Sequence, residues 1–367
     1  MRDENANRLL AAVMGWRDQT DVLKYVPTLQ LLAAYKYDHY QRFGPGRRFI
    51  ESLALWLHQF DFPSRQDALD FVLRRLVFIS DHEFSHLVES AHPDVIVPER
   101  IRLVADEQGL PAHCVGRIAA SKRFKELRLK SLYLGLSDGA RTNELRRSSA
   151  NEISNEQIWQ AYELGTDKAE DMRKTLADSL RQEGLPSDGA HFTLVWLLDD
   201  FSGSGNTYIR YSPTQRAFKG KIPKVYHSLK SVGLVDTSHY ELFLLLYAAT
   251  QQAIDHIEYW SERFAAQEGH KPLQVRVLHT LSRSVSVSTT EEPWTSLITQ
   301  DRYYDSRASD KHIQVGGTSD ARWGFAGCAL PVVLAHNTPN NSVYLLWGPE
   351  SMTFRGLFPR VSRHREF

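Results

Sequence analysis

The sequence predicts an α/β protein built on a parallel sheet and preceded by an all-helical N-terminal region. Two observations carry the sheet. Three apolar runs, FTLVWLL (residues 192–198), ELFLLLYAA (241–249) and LQVRVLHTL (273–281), are continuous rather than alternating, as strands covered on both faces must be. The last two are separated by QQAIDHIEYWSERF, whose apolar spacing is that of an amphipathic helix, so the order is strand, helix, strand. A third observation sets the N-terminal region apart. From Asn7 to about Val104 the apolar residues recur at helical spacing.

In chain order, FIESLALWLHQF (49–60) and ALDFVLRRLVFI (68–79) both read as helices, with Ser64 as one N-cap and Ser80 with Asp81 as another. At Ser131 the pattern changes: SLYLGL is short and apolar and is closed by the turn-forming SDGA, as a buried strand would be. Helices are expected from Asn155 to Gln182, followed by the three runs above. Residues 289–327, rich in Ser, Thr and Asp, read as an irregular excursion before a fourth run, ALPVVLAH (329–336), which ends in the turn-rich NTPNNS. The expected division is a helical region over 1–125 and the sheet domain over 126–367.

A chain of 367 residues allows one large domain or two of ordinary size. Its 44 basic and 44 acidic residues balance, so a global basic field is excluded and any charge signal is local. Cys114 and Cys328 are too few for a disulfide framework or a thiolate zinc site, which fits a reducing compartment. The polar N-terminus and the short aliphatic runs suggest a cytoplasmic protein with no membrane partner.

The chemistry concentrates at one strand end, LLDDFSGSGNTY (197–208). Ligands of open parallel sheets bind beyond the carboxyl ends of strands, and a glycine-rich turn leading into a helix makes an anion site from backbone N–H groups. Ser202, Ser204 and Thr207 add hydroxyls, Gly203 and Gly205 permit close approach, and Asn206 completes the turn. Asp199 and Asp200 stand where they can accept hydrogen bonds from two neighbouring sugar hydroxyls. Three readings remain open at this point: a sugar-phosphate site, an S-adenosylmethionine loop, or a capped strand end. A methyltransferase also needs an element such as DPPY, which NTPNNS does not supply, and a P-loop needs a Gly-Lys-Ser/Thr that is absent.

The run VWLLDDFSGSGNT (195–207) resembles the signature of type I phosphoribosyltransferases, with Phe201 bulkier and Asn206 in place of a common glycine. The resemblance implies that Asp199 and Asp200 contact the ribose hydroxyls of 5-phosphoribosyl 1-pyrophosphate (PRPP) or a nucleotide, directly or through Mg2+. It also implies that Ser202 to Thr207 wrap the 5-phosphate. Such chemistry needs a second anion site for the leaving pyrophosphate. Ser137, Asp138, Gly139, Ala140 and Arg141 form the candidate loop, with Arg146 or Arg147 as further cations; the alternative is a plain helix cap. The family's mobile catalytic loop is not evident between these segments. With YAATQQA (247–253), ALPVVLAHNTPNNSVYLLW (329–347) and LFPR (357–360), the set resembles phosphoribosyltransferase-like proteins of bacterial conflict systems, including retron effectors. That implies an antiviral effector working beside a reverse transcriptase and its DNA product.

Three features stand outside this pattern. Residues 210–230 hold six Lys or Arg and no acid, either a solvated surface or a guide for nucleic acid, and LFPRVSRHREF adds further basic residues. Asn337, Asn340 and Asn341, with Pro339, form either a target-facing loop or a turn held by Asx hydrogen bonds. His82, Glu83 and His86 spell the HExxH of zinc peptidases, with no third ligand apparent, and read as helix residues.

Overall fold

The computed structural model describes residues 3–41, 43, 47–163, 165–236 and 239–360. Among these the strands run, in order, β1 (Val77–Ile79), β2 (Ser131–Gly135), β3 (Ile158–Gln160), β4 (Leu194–Ser202), β5 (Arg210–Ser212), β6 (Ala217–Lys219), β7 (Glu241–Thr250), β8 (Gln274–Leu281) and β9 (Val332–Leu334). The chain forms two compact units, one of residues 1–84 with 282–367 and the other of residues 85–281. This division differs from the expected one at 125/126. Helical spacing shows that a helix hides one face but not which partner it hides it against, so the affiliation of residues 85–129 is invisible in the sequence.

The first unit is mainly helical, as expected, with one exception. The VFI that continues the helical pattern of 68–79 leaves the helix Arg65–Arg74 and forms β1, paired in parallel with β9 as Val77↔Val332 to Ile79↔Leu334. The fourth apolar run thus makes a strand, but in this two-stranded sheet. Ser80 caps the next helix, Asp81–Ala91, in a capping box: its Oγ accepts from Glu83 N–H at 3.3 Å while Glu83 Oε2 accepts from Ser80 N–H at 2.8 Å.

The second unit holds a five-stranded, all-parallel sheet in the order β3-β2-β4-β7-β8. Central β7 is buried at nine of its ten positions, which accounts for its unbroken apolar sequence. Alternate side chains serve the two faces. Leu132, Leu134, Val195, Leu197, Leu244 and Leu246 pack with the helices Thr166–Gln182, Lys221–Ser231 and Gln251–Glu268. Tyr133, Trp196 and Phe243 point to the other face, where Trp196 stacks on its cross-strand neighbour at 4.3 Å between ring centroids. On β8, Arg276 donates to Glu99 of the helix Val97–Gln108 at 2.7 Å, so helices from the expected N-terminal region serve this sheet.

The strand order positions the site. From β2 the chain steps outward to β3, returns past β2 to β4, and then continues to β7 and β8, so the winding direction reverses between β2 and β4. A crevice opens beyond the carboxyl ends of the strands at such a reversal. The loops that follow β2 and β4, SDGAR and SGSGNT, are the ones that flank it.

Candidate sugar-phosphate site

β4 runs four residues further than its apolar sequence suggests, through Asp199, Asp200 and Phe201 to Ser202. The two acids are therefore strand residues, and the pleat sends them to opposite sides. Asp199 is buried, 1% exposed. Its Oδ1 accepts from Ser137 Oγ and from the Asp200 N–H, and its Oδ2 accepts from the Tyr208 hydroxyl at 2.8 Å and the Lys221 ammonium at 2.6 Å. Asp200 is half-buried and lies against Gly139: a Cβ at that glycine would sit 2.2 Å from Asp200 Oδ2. The loop 137–141 thus closes over both carboxylates.

Burial and the neighbouring Asp200 push the Asp199 carboxyl above the ordinary carboxylate range, while Lys221 and Ser137 pull it back. The same burial and the adjacent carboxylates raise the Tyr208 phenol, which keeps it a hydrogen-bond donor. A charge in so dry a place requires a counter-charge, and Lys221 supplies it.

Two residues at the end of β7 brace the two loops. Tyr247 donates its hydroxyl to Ala140 O at 2.8 Å. Thr250 caps the helix Gln251–Glu268 by accepting from Ala253 N–H at 3.0 Å and donates to Gly203 O at 2.7 Å. The phosphate-type loop rests on that helix's first turn, where Gly205, at φ 78°, leaves room for Ala253 O. Ser202, Gly203, Ser204 and Gly205 are buried, Asn206 is half-buried and Thr207 is exposed. No helix follows the loop at once, contrary to expectation. The hairpin β5–β6 intervenes, and the helix Lys221–Ser231 then returns, its Lys221 N–H bonding Thr207 O at 3.0 Å and its Ile222 N–H bonding Tyr208 O at 2.9 Å.

The stretch that carries these two acids and the two loops lies within one family match. The PRTase-CE family model matches residues 53–360. The chain belongs to the PRTase-CE family. PRTase-CE is phosphoribosyltransferase-like, in keeping with the resemblance read from residues 195–207. No curated protein and no solved structure matches the chain. The match reaches into both compact units, so PRTase-CE includes β1 and β9 as well as the sheet unit.

The structure brings Ser137, Asp138, Gly139, Ala140 and Arg141 together with residues 199–207 at one strand end. Arg141, at φ 45°, sits in the left-handed region just before the helix Thr142–Ser148 and reaches Glu144 at 3.4 Å. Between that loop and β4 the chain forms this helix, β3 and the helix Thr166–Gln182. Four residues with roles here are not announced by the sequence. Tyr208 directly follows the motif and Tyr247 and Thr250 lie in YAATQQA, but nothing local marks Lys221, which is 22 residues from its partner.

Asn337, Asn340 and Asn341 lie in the first unit. Asn337 Oδ1 accepts from Thr338 N–H at 3.0 Å, Asn340 O accepts from Phe325 N–H at 2.6 Å, and the buried Asn341 amide donates to Phe325 O at 3.2 Å. Those bonds hold a turn. His82 and His86 are exposed on the helix Asp81–Ala91, and Glu83 is engaged by Ser80 and, at 2.7 Å, by Lys36. Among the described residues no group of three His, Cys, Asp or Glu is arranged to hold a metal ion, and no helix is long and apolar enough to cross a membrane. Of the basic C-terminal stretch, residues 361–367 lie outside the described residues.

Proposed function

We propose that the site binds PRPP or a nucleotide that resembles it and acts as a transferase, moving the phosphoribosyl group to an acceptor or cleaving a nucleotide's glycosidic bond. The observation that supports this most is the closure of the loop 137–141 on the acidic strand end that leads into the loop 202–207: Ser137 on Asp199, Gly139 on Asp200. A donor with a phosphate at each end of a ribose needs that spacing of elements: an anion loop, a hydroxyl-binding acid and a second anion loop. The 5-phosphate belongs in Ser202 to Thr207 and the pyrophosphate on Ser137 to Arg141. Mg2+ takes oxygen ligands and is commonly held by one or two carboxylates together with substrate phosphates. Asp199 already has Lys221, Tyr208 and Ser137 on it, so the donor set fits an ion held by Asp200 and the ligand's own oxygens. Titration calorimetry with PRPP and Mg2+ tests the reading. The parent is expected to bind, and Asp200→Asn, at a cost of about 1.5 to 3 kcal/mol for a lost charged hydrogen bond, is expected to bind roughly tenfold to a hundredfold more weakly. Equal binding by parent and variant would remove Asp200 from the site.

A specific observation favours a second reading, a nucleotide-sensing module without turnover. Lys221 neutralises one of the two acids on which catalysis would draw. Turnover assays separate the two, since a sensor binds the ligand and returns it unchanged.

In the cell, the reading extends to an effector of retron-type antiviral defence whose partners include a reverse transcriptase and its DNA. The order of this chain's motifs, from SDGAR through DDFSGSGNT and YAATQQA to LFPR, supports it. On induced expression in a bacterial host, growth is expected to slow, and Ser204→Ala combined with Thr207→Ala is expected to restore it at equal protein level. Undiminished toxicity in that variant would locate the harm elsewhere.

A further inference from the structure

The hairpin between the phosphate-type loop and its helix has no place in the donor site, and its charges are arranged at the expense of stability. β5 and β6 pair antiparallel with Arg210 directly opposite Lys219. Like charges facing each other across a strand pair are destabilising. Arg216, in the connecting turn, holds φ at 47°, a region that suits glycine and costs an arginine. From 210 to 230 no acid relieves these cations. Arg216, Lys219, Lys224 and Lys230 are exposed, and among the described residues none of the four makes an ion pair.

The other side of the hairpin is fixed. Tyr211 stacks on Trp260 at 6.1 Å, and Phe218 meets Phe264 edge-on at 5.3 Å. His256 bonds Ile209 O at 2.9 Å, so the stripe 256, 260, 264 of the helix Gln251–Glu268 faces the hairpin. Three acids of that helix, Asp255, Glu258 and Glu262, lie off the stripe, with Glu258 near Arg276 of β8, while Glu268 ends the helix one turn beyond Phe264 and acts on Tyr226 of the helix Lys221–Ser231. At its base the hairpin joins the donor site: Arg210 donates to Asn206 O at 3.1 Å, and Lys219 is two residues from Lys221 on Asp199. In chain order, a line of cations therefore starts at the phosphate-type loop and continues through the hairpin into the helix Lys221–Ser231.

We propose that this line is a docking rail for single-stranded nucleic acid and that a nucleotide of the bound strand is the acceptor: one of its nitrogen or oxygen atoms forms a bond to ribose C1 of PRPP as the C1–O bond to pyrophosphate breaks, pyrophosphate leaves, and the acceptor's proton passes to solvent. A row of cations leading away from a sugar-phosphate site matches a row of phosphates, a charge density that a free nucleotide lacks. The strand is single because a base held in a duplex cannot reach a site at the end of a β-strand without leaving its stack. The inference rests on the donor reading above for what happens at the site, but not for the binding itself.

The test is fluorescence anisotropy of a labelled oligothymidylate, titrated over a range of salt, with the intact chain. The parent binds with a salt-dependent affinity. Lys219→Glu with Lys224→Glu removes two phosphate contacts, so the slope of log affinity against log salt becomes shallower by about 1.4, and binding at about 0.1 M salt weakens roughly twentyfold. Lys219→Glu alone sets an opposite charge against Arg210, so its melting temperature stays level or rises while its oligonucleotide affinity falls, an outcome that misfolding cannot mimic. PRPP binding by the same variants, read by calorimetry, stays at the parent's level. Oligonucleotide binding that is absent in the parent, or equal in parent and double variant, overturns the rail and leaves the donor reading intact. A duplex that binds as tightly as the single strand overturns the single-strand assignment. PRPP that fails to bind the parent overturns the donor reading, and with it the acceptor role, while a salt-dependent loss in the variants still supports the rail.

Discussion

Lys221→Met is expected to destabilise the protein by about 3 kcal/mol at neutral pH, because it leaves a buried carboxylate without its cation. Asp199 is 1% exposed, and Lys221 Nζ lies 2.6 Å from its Oδ2. Burial and Asp200 already hold the Asp199 carboxyl above its ordinary range, and removing Lys221 deletes a charge that pulls it down. The sign of the pH dependence follows. With its folded pKa raised, Asp199 keeps a proton that the unfolded chain has released, so stability falls as pH rises from the ordinary carboxylate range through the raised value. The variant is therefore expected to regain stability on acidification, and to lose more than the parent as pH rises above the ordinary carboxylate range. Asp199→Asn combined with Lys221→Met removes both charges and should recover most of the loss. Thermal unfolding across pH decides it. A single variant that melts with the parent at every pH would mean that the ion pair contributes nothing and that Lys221 stands near Asp199 for another reason.

That ion pair also marks the limit of what the sequence discloses. The parallel sheet was legible because β4, β7 and β8 are apolar throughout, and a strand that must be apolar on both faces leaves little else to be read. The strand-end motif was legible because acid, glycine and hydroxyl residues are crowded into residues 199–207. β3 was hidden in an expected helix, since its three residues, Ile158, Trp159 and Gln160, form an edge strand too short to show a period of two. β1 was hidden for a different reason. Its partner β9 lies more than 250 residues away, and only that pairing distinguishes Val77–Ile79 from one more turn of the preceding helix. The last four residues of β4 escaped because acids and serine are poor strand formers, and parallel neighbours hold them in line: Asp199 beside Leu246, Phe201 beside Ala248, Ser202 beside Ala249. Lys221 could not be read because the hairpin separates it from Asp199 in sequence, and the turn that brings it back is made by backbone bonds to Thr207 and Tyr208. The two compact units divide the chain away from 125/126 on similar grounds, because residues 282–360 fold with a segment some two hundred residues earlier.

Gly139→Ala is expected to reduce PRPP affinity by roughly a hundredfold with a much smaller effect on melting, since small displacements of binding groups cost rates and affinities of that order. The added methyl would stand 2.2 Å from Asp200 Oδ2 and 2.6 Å from its Cγ, distances that no real contact tolerates. Asp200 is a residue of β4 whose Oδ1 is held by the Phe201 N–H at 2.8 Å, so the loop is the element that gives way. When it moves, it carries Ser137 off Asp199 and Ala140 O off Tyr247, and the second anion loop loses its register with the first. The strands beneath keep their packing, which is why binding rather than folding takes the loss. Gly116→Ala is the matched control: it lies in the helix Val115–Ala119 with nothing within 4 Å of the added carbon, and it should bind PRPP as the parent does. Calorimetry on the three proteins gives the comparison, and thermal melts show whether each is folded. If Gly139→Ala binds as the parent does, the loop 137–141 takes no part in holding the donor. The pyrophosphate assignment would then fall, and only the residues of 199–207 would remain to account for the site.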